Sequence, residues 1–473
     1  MSSHAAFCCL LLLTAGCSDP QKPTVESAAD GPERIARGKN SPPVEEFRVW
    51  AKANAHPVAL ADTATGIADL RPFGHVVGQA RVVALSEPFH GGHEPLALRN
   101  RLIRYLVTEQ GFTAVALETG LAQSKPLYDY VLGAPSITDS TLRASFTYGF
   151  GDQPENLELL KWLHAYNAAQ PAGGRVRVYG IDLPGQVTGP ASLALRAVLD
   201  YLDRTEPAIG ATARAQLADV VPVFTARRYV ALSRADQDMI AAKIRDLVAL
   251  MRRSRVTLAK SSTRDDYEWA LRQAVNADQD LSLMRLLTPG FFEGFDKGLG
   301  ALPHDARQRE ARNVREATMA ENIAWVLERE GPRGRIVTFA HDVHQQRHVL
   351  DIDPGTPFEW WIGGIQPAGM FAHRIFGADL VTIGTYFGSF QGSDSPGAER
   401  PDSASVETLL AALGHSAFVA DLRAVRKDGA LHRYLSQSYR VRAGDGFAHF
   451  VSPLVAYDAV VYIDRISPVR YLK

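Results

Sequence analysis

Beyond residue 17 the chain has no cysteine. Its three cysteines, Cys8, Cys9 and Cys17, all sit at the N-terminal end of 473 residues. That excludes a disulfide framework, a cysteine nucleophile and a zinc–thiolate centre from the body of the protein. An excess of one charge is lacking too. Lys and Arg number 51 against 52 Asp and Glu, for a net charge of −1, so no nucleic-acid partner is indicated. After the N-terminus no apolar run approaches the roughly 20 residues that span a bilayer. No Gly-x-Ser-x-Gly turn occurs, which argues against an acyl-serine route of the α/β-hydrolase kind. Gly91-Gly92 does not make a phosphate loop, and no internal repeat is evident. What is present is ordinary globular material, 46% hydrophobic and 22% charged, in a chain long enough for a large core.

The N-terminus accounts for the cysteines. Ala5 to Leu13 is apolar but too short for a stable membrane anchor. It ends in Leu13-Thr14-Ala15-Gly16-Cys17, which resembles a bacterial lipoprotein signal, where the Cys is lipidated and becomes the new N-terminus. Residues 1–17 are therefore expected to be a signal peptide and residues 18–45, rich in Pro, Ser, Asp and Lys, a flexible tether. The expected setting is export, with Cys17 anchoring a periplasm-facing lipoprotein in the outer membrane. Residues 46–473 form the expected folded domain.

That domain is organised around residues 81–118. Val82 to Leu85 are all apolar, as in a strand covered on both faces. Glu87 and His90 follow its carboxyl end. Pro95 suits the first turn of a helix and Gly111 its stop. Leu96, Leu102, Ile103 and Leu106 recur at helical spacing between them. A second apolar strand, Phe112 to Leu117, ends on Glu118. Further strands are expected at Arg175–Asp182, Arg335–His341, Leu380–Thr385, Ala417–Asp421 and Ala459–Ile463. Helical periodicity marks Val44–Val58, a segment closed by Gly133, Glu155–Asn167 and Met319–Glu330. The stretch from about 190 to 312 is helical throughout and reads as a subdomain inserted in the sheet or packed over its strand ends. Strands alternating with helices predict an α/β fold with a mainly parallel sheet flanked by helices.

In such a sheet the carboxyl ends of the strands share one edge, where ligands bind. Four expected strands end there on Glu87, Glu118, Asp182 and His341, with His90 and His344 close by. Arg99 lies on the inward stripe of its helix, among Leu96, Leu102, Ile103 and Leu106. An inward Arg needs an anionic partner, and Glu87 and Glu118 are the nearest in sequence; Arg101 and Arg104 share the opposite, polar face. The set suits water activation: a neutral His accepts a proton, a carboxylate orients its ring, and a second His or the Arg stabilises an oxyanion. Glu87, His90, Glu118, His341 and His344 are also acceptable metal ligands, which leaves a metal site open. His93 reads as a surface or internally satisfied histidine.

The segment Ser86-Glu87-Pro88-Phe89-His90-Gly91, with Glu94, Arg99, Gly111-Phe112 and Val115-Ala116-Leu117-Glu118, resembles the erythromycin esterase family. So do Trp162-Leu163 with Tyr166-Asn167, Arg315 with Met319-Ala320-Glu321-Asn322 and Trp325, and Phe339-Ala340-His341 with His344. The likeness runs from about Val82 to Pro468. It implies a carboxylic ester hydrolase that opens the lactone of macrolide antibiotics, with a small-molecule ester or lactone as substrate and no cofactor or metal. It places His90 as general base, Glu87 and Arg99 orienting it, and Glu118 with His341 or His344 completing the site. A wider likeness, to haem-binding lipoproteins with a related α/β core, implies binding of haem or metal without turnover. A haem pocket has no use for Glu87, Glu118 and Arg99 together, which favours the hydrolase.

Overall fold

The computed structural model describes residues 35–61, 66–183, 191–303, 305–391, 401, 403–443 and 447–473. The expected signal peptide, Cys17 and residues 18–34 of the expected tether lie outside these. Within the rest of that tether, Ala36 and Gly38 hydrogen-bond the backbone of Ser438, and Arg37 pairs with Asp351 at 3.0 Å.

Eleven strands appear among the described residues: β1 Ala55–Pro57, β2 Val82–Glu87, β3 Ala114–Gly120, β4 Arg177–Asp182, β5 Ile336–His341, β6 Asp351–Ile352, β7 Leu380–Phe390, β8 Ala417–Asp421, β9 Tyr439–Ala443, β10 Phe447–Val451 and β11 Ala459–Ile466. Eight form one sheet in the order β1-β8-β11-β7-β2-β5-β3-β4. From β11 to β4 every neighbouring pair is parallel. Only the edge formed by β1 and β8 is antiparallel. All seven strands expected from sequence are present. The three-residue β1 completes that edge where the sequence pattern suggested only the end of a helix, which here stops at Asn54. A separate sheet, β6-β10-β9, is built of strands of only two to five residues and was not expected from the sequence.

The two-sided apolar character of β2, β3 and β5 has a direct cause. Val83, Leu85, Val115, Leu117, Val337 and Phe339 share one core with Leu96, Leu102, Ile103 and Leu106 of the helix His93–Gln110. Val82, Ala84, Ala114, Ala116, Ile336 and Ala340 share another with Met319, Ile323 and Val326 of the helix Ala306–Glu330. Alternate residues of each strand thus feed opposite cores. Truncating Leu106, which is fully buried, should cost about 2–5 kcal/mol. The helix closes at Gly111, whose φ of 69° is the left-handed cap a glycine allows. Arg101, expected on a polar face, is instead buried against Asp69 at 2.7 Å and the carbonyl of Gly66 at 2.8 Å, because the segment 66–70 lies over that side.

Between β4 and β5 lie seven helices from Ser192 to Lys297, gathered around a core of their own that includes Leu195, Leu199, Ile244, Met251 and Leu281. The path of the chain also explains where a site forms. β2 and β3 both lead into helices packed in the first core, while β5 leads through Asp342–Gln345 to the helix Ala368–Phe376, whose Ala368 and Ala372 lie in the other. β5 sits between β2 and β3, so its carboxyl end is flanked by chains departing to the opposite side. Such switch points open the crevices that ligands enter.

Candidate active site

The four strand ends are contiguous in space. Register pairs Glu87 of β2 with His341 of β5. Glu118 of β3 lies on the other side of β5, where its Oε2 accepts the His341 N–H at 2.9 Å. Asp182 closes β4 next to β3. The turn after β2 brings His90 back over this edge. Its Nδ1 lies 2.8 Å from Glu87 Oε1, and its ring is 5.0 Å from that of His341, nearly perpendicular. Glu87 is buried, whereas the His90 side chain is 31% exposed. With Glu87 accepting from Nδ1–H, the neutral imidazole keeps its lone pair on Nε2.

His341 has the complementary tautomer. Its Nδ1 accepts the N–H of Val343 at 3.1 Å, capping the short helix Asp342–Gln345. The proton of its neutral ring therefore sits on Nε2, making that nitrogen a donor. Its neighbour Asp342 is buried beneath the site, and burial pushes its carboxyl up to about 8 against the opposing bond from Ser86.

His344 is a third kind of histidine. Nδ1 lies 2.9 Å from both oxygens of Glu316 and Nε2 lies 3.3 Å from Glu118 Oε1. Burial disfavours its charge, but Glu316 and Glu118 outweigh that and push it up to about 9. At that value the charged form predominates at neutral pH, with Nε2 set between Glu118 and Arg315 Nη1, the latter at 3.2 Å. Of the His341/His344 pair, His341 faces His90, while His344 belongs to a buried charge cluster.

Arg315 ties that cluster together. Its guanidinium forks onto Asp182, Nε at 2.9 Å and Nη2 at 2.6 Å, and Nη2 also lies 3.5 Å from Glu118 Oε1. Tyr148 donates its hydroxyl to Asp182 Oδ2 at 2.8 Å. Burial alone would raise the Glu118 carboxyl; the charge and hydrogen bond of His344, with the charge of Arg315, hold it well below the usual carboxylate range. Arg315 and Glu316 carried no role in the sequence reading. The signal was there: Arg312, Arg315, Met319, Ile323 and Val326 recur on one face of their helix at helical spacing, an inward-charge pattern like that of Arg99.

Arg99 itself is buried as its spacing predicts, but its partners are different. Its Nε and Nη2 donate to Asn100 Oδ1 at 3.1 and 2.8 Å, Nη1 donates to Asn156 Oδ1 at 2.8 Å, and Nη2 reaches the Glu155 carbonyl at 3.5 Å. Among the described residues it makes no ion pair with Glu87 or Glu118. The expected pairing fails because the helix Pro154–Ala168 packs alongside and presents its amide groups first. Burial lowers the guanidinium to about 10, while the charge of Glu87 acts the other way through space. Arg99, Glu87 and Glu118 line one small cavity of about 20 Å³, with Phe146, Phe150 and Asn156. That volume is far below the roughly 300–1,000 Å³ of small-molecule sites. His93 is satisfied, its Nδ1 lying 2.5 Å from Glu155. Among the described residues no group of three or more His, Asp or Glu is arranged to hold a metal ion.

Comparison with known proteins places the chain in a family. An erythromycin esterase family model matches residues 107–466, which include Glu118, Asp182, Arg315, His341 and His344 but begin after Glu87, His90 and Arg99. A type II erythromycin esterase of Escherichia coli is 24% identical over 321 residues, 65% of this chain and 70% of that one. A crystal structure of a Bacillus cereus protein superposes with a TM-score of 0.74 at 22% identity, covering 91% of this chain and 99% of that one. An erythromycin esterase mutant solved in an open conformation superposes with a TM-score of 0.58 at 18% identity, covering 84% and 94%. Those superpositions establish the fold. With the larger part of its length matched by the family model, including β5 and the histidines that follow it, the chain belongs to the erythromycin esterase family.

Proposed function

We propose that the protein hydrolyses a carboxylic ester or macrolide lactone by water activated at His90. The observation that carries this reading is the 2.8 Å bond from His90 Nδ1 to Glu87. It leaves the basic nitrogen of the more exposed ring as Nε2. Water gives a proton to Nε2 as its oxygen adds to the ester carbonyl. The resulting oxyanion is stabilised by the Nε2–H of His341. The tetrahedral species collapses, the C–O bond to the alcohol breaks, and the departing alkoxide takes the proton from His90. The products are a carboxylic acid and an alcohol, and no covalent enzyme intermediate forms. Glu87 orients His90 and stabilises its cation, while Glu118, held ionised by Arg315 and His344, fixes His341 through its backbone N–H. A macrolide, larger than the present pocket, requires the cleft to widen. Macrolide resistance is the corresponding physiological role.

A screen of the purified protein against macrolides, simple esters and lactones, read by acid release, tests this directly. Active wild type together with a His90→Ala variant slowed about 10²–10⁴-fold is the expected result. A near-normal kcat in the variant, or no turnover of any substrate by wild type, rejects it. We further propose, from the N-terminal sequence alone, that the protein works as an exported lipoprotein anchored through Cys17.

A further inference from the structure

One turn beside the site is built against the preference of its own backbone. Tyr148, with φ 60°, and Gly149, with φ 75°, are consecutive left-handed residues. Such a pair favours Asn-Gly or Asp-Gly, and a bulky aromatic there is an outlier. The turn is held firmly in place. The Thr147 N–H donates to Thr119 Oγ1 at 2.8 Å, and the Gly120 N–H to Thr147 Oγ1 at 3.3 Å. The Tyr148 hydroxyl donates to Asp182 and accepts from Arg315 Nη2 at 3.4 Å. Yet the ring is not part of the core, for the residue is 43% exposed. It continues into Phe150 at 5.5 Å, and Phe150 lies 4.8 Å from the His90 ring.

A residue needed only for the turn would be Asn or Gly, and a ring needed only for packing would be buried. Strained backbone positions that persist under these conditions gather at ligand-binding sites. We propose that Tyr148 is a specificity-determining contact: with Phe150 it forms an aromatic wall leading to His90, against which the apolar flank of an ester substrate lies. This rests on the ester-hydrolase reading above. The hydroxyl tether keeps the ring fixed before binding, so little side-chain freedom is lost when substrate arrives. Aromatic faces take C–H-rich surfaces well. Esters with a long acyl flank should therefore need Tyr148, and those with the shortest acyl group should reach His90 without it.

The test compares p-nitrophenyl acetate with p-nitrophenyl decanoate. Tyr148→Asn suits the left-handed turn and removes the ring; Tyr148→Phe keeps the ring and removes the tether. Tyr148→Gly serves the same purpose as Asn if that variant misfolds. Direct binding of the decanoate is measured in parallel on a His90→Ala background, with and without the Tyr148 substitution. The expected result is a KM for decanoate raised about tenfold or more in Tyr148→Asn, the equivalent of one hydrophobic contact, a much smaller change for acetate, and most of the loss absent in Tyr148→Phe. The Kd for decanoate should rise by a similar factor. Equal changes for the two esters, or an unchanged KM and Kd, overturn the proposal. If wild type binds decanoate but hydrolyses neither ester, the hydrolase reading falls and the Kd comparison still decides Tyr148. If wild type neither binds nor hydrolyses, both fall.

Discussion

Replacing His344 by Asn should remove a pH-dependent part of the protein's stability. In the folded chain the ring stands between Glu316 at 2.9 Å and Glu118 at 3.3 Å. Burial opposes its charge, the two carboxylates outweigh burial, and the pKa rises from 6.5 to about 9. At 1.36 kcal/mol per unit, the shift corresponds to a contribution on the order of 3 kcal/mol. Its side chain is only 8% exposed, so solvent screening takes little from this. The sign follows from the folded value lying above the unfolded one. The contribution is complete below pH 6.5, declines as pH rises through about 9, and is gone above it. Urea unfolding of wild type and His344→Asn at about pH 6 and about pH 10 reads it directly. The gap between the two proteins should shrink by on the order of 3 kcal/mol across that range. A gap that stays constant would show that His344 is neutral in the fold. It would then be a candidate base after all, and the division of labour between His341 and His344 would have to be redrawn.

Asp342 titrates in the same direction: its carboxyl is raised from 3.8 to about 8, chiefly by burial, so stability should fall as pH rises between those values, and Asp342→Asn should flatten that slope in urea titrations. Arg99→Met strands Asn100 and Asn156 without their donor and should lower stability by about 2–4 kcal/mol, as well as activity; Arg99→Lys keeps the charge but not the fork and should fall between. A fully stable, fully active Arg99→Met would refute its positioning role. Cys17→Ser should release the protein from the membrane fraction or block its processing, and equal recovery of both forms in the cytoplasm, with Met1 intact, would refute export.

Much of the sheet was legible because its strands are buried on both faces. Val82–Leu85 and Ala114–Leu117 are continuous apolar runs that no surface helix would carry, and each stops on a carboxylate. Order within the sheet was not legible. Nothing local in Ile336–His341 says that β5 inserts between β2 and β3, although that insertion alone sets Glu87 and Glu118 on either side of His341. The small sheet was missed for another reason. β6 has only two residues, and although Tyr439-Arg440-Val441-Arg442-Ala443 of β9 does alternate, five residues are too few to set it apart from the loops around it.

The charged residues divide along the same line. His90 is three residues from Glu87, and a turn of that length makes their contact readable from sequence. Arg99 was correctly placed facing inward, since helical spacing fixes direction, but spacing cannot choose among partners that arrive from elsewhere in the chain. Asn156 is 57 positions away and still reaches the guanidinium before Glu87 does. Arg315 shows the limit most clearly: it meets Asp182 across 133 positions, through a helix that crosses under the sheet. What sequence supplies is a stripe of buried residues with charges among them. Such a stripe demands compensation, because an isolated buried ion is too costly to keep. Two inward arginines on two helices, Arg99 and Arg315, therefore required two sets of acceptors near the strand ends. The carboxylates Glu87, Glu118 and Asp182 could not all serve the arginines and also position histidines. The amides of Asn100 and Asn156 take Arg99, and that leaves Glu87 available to hold His90.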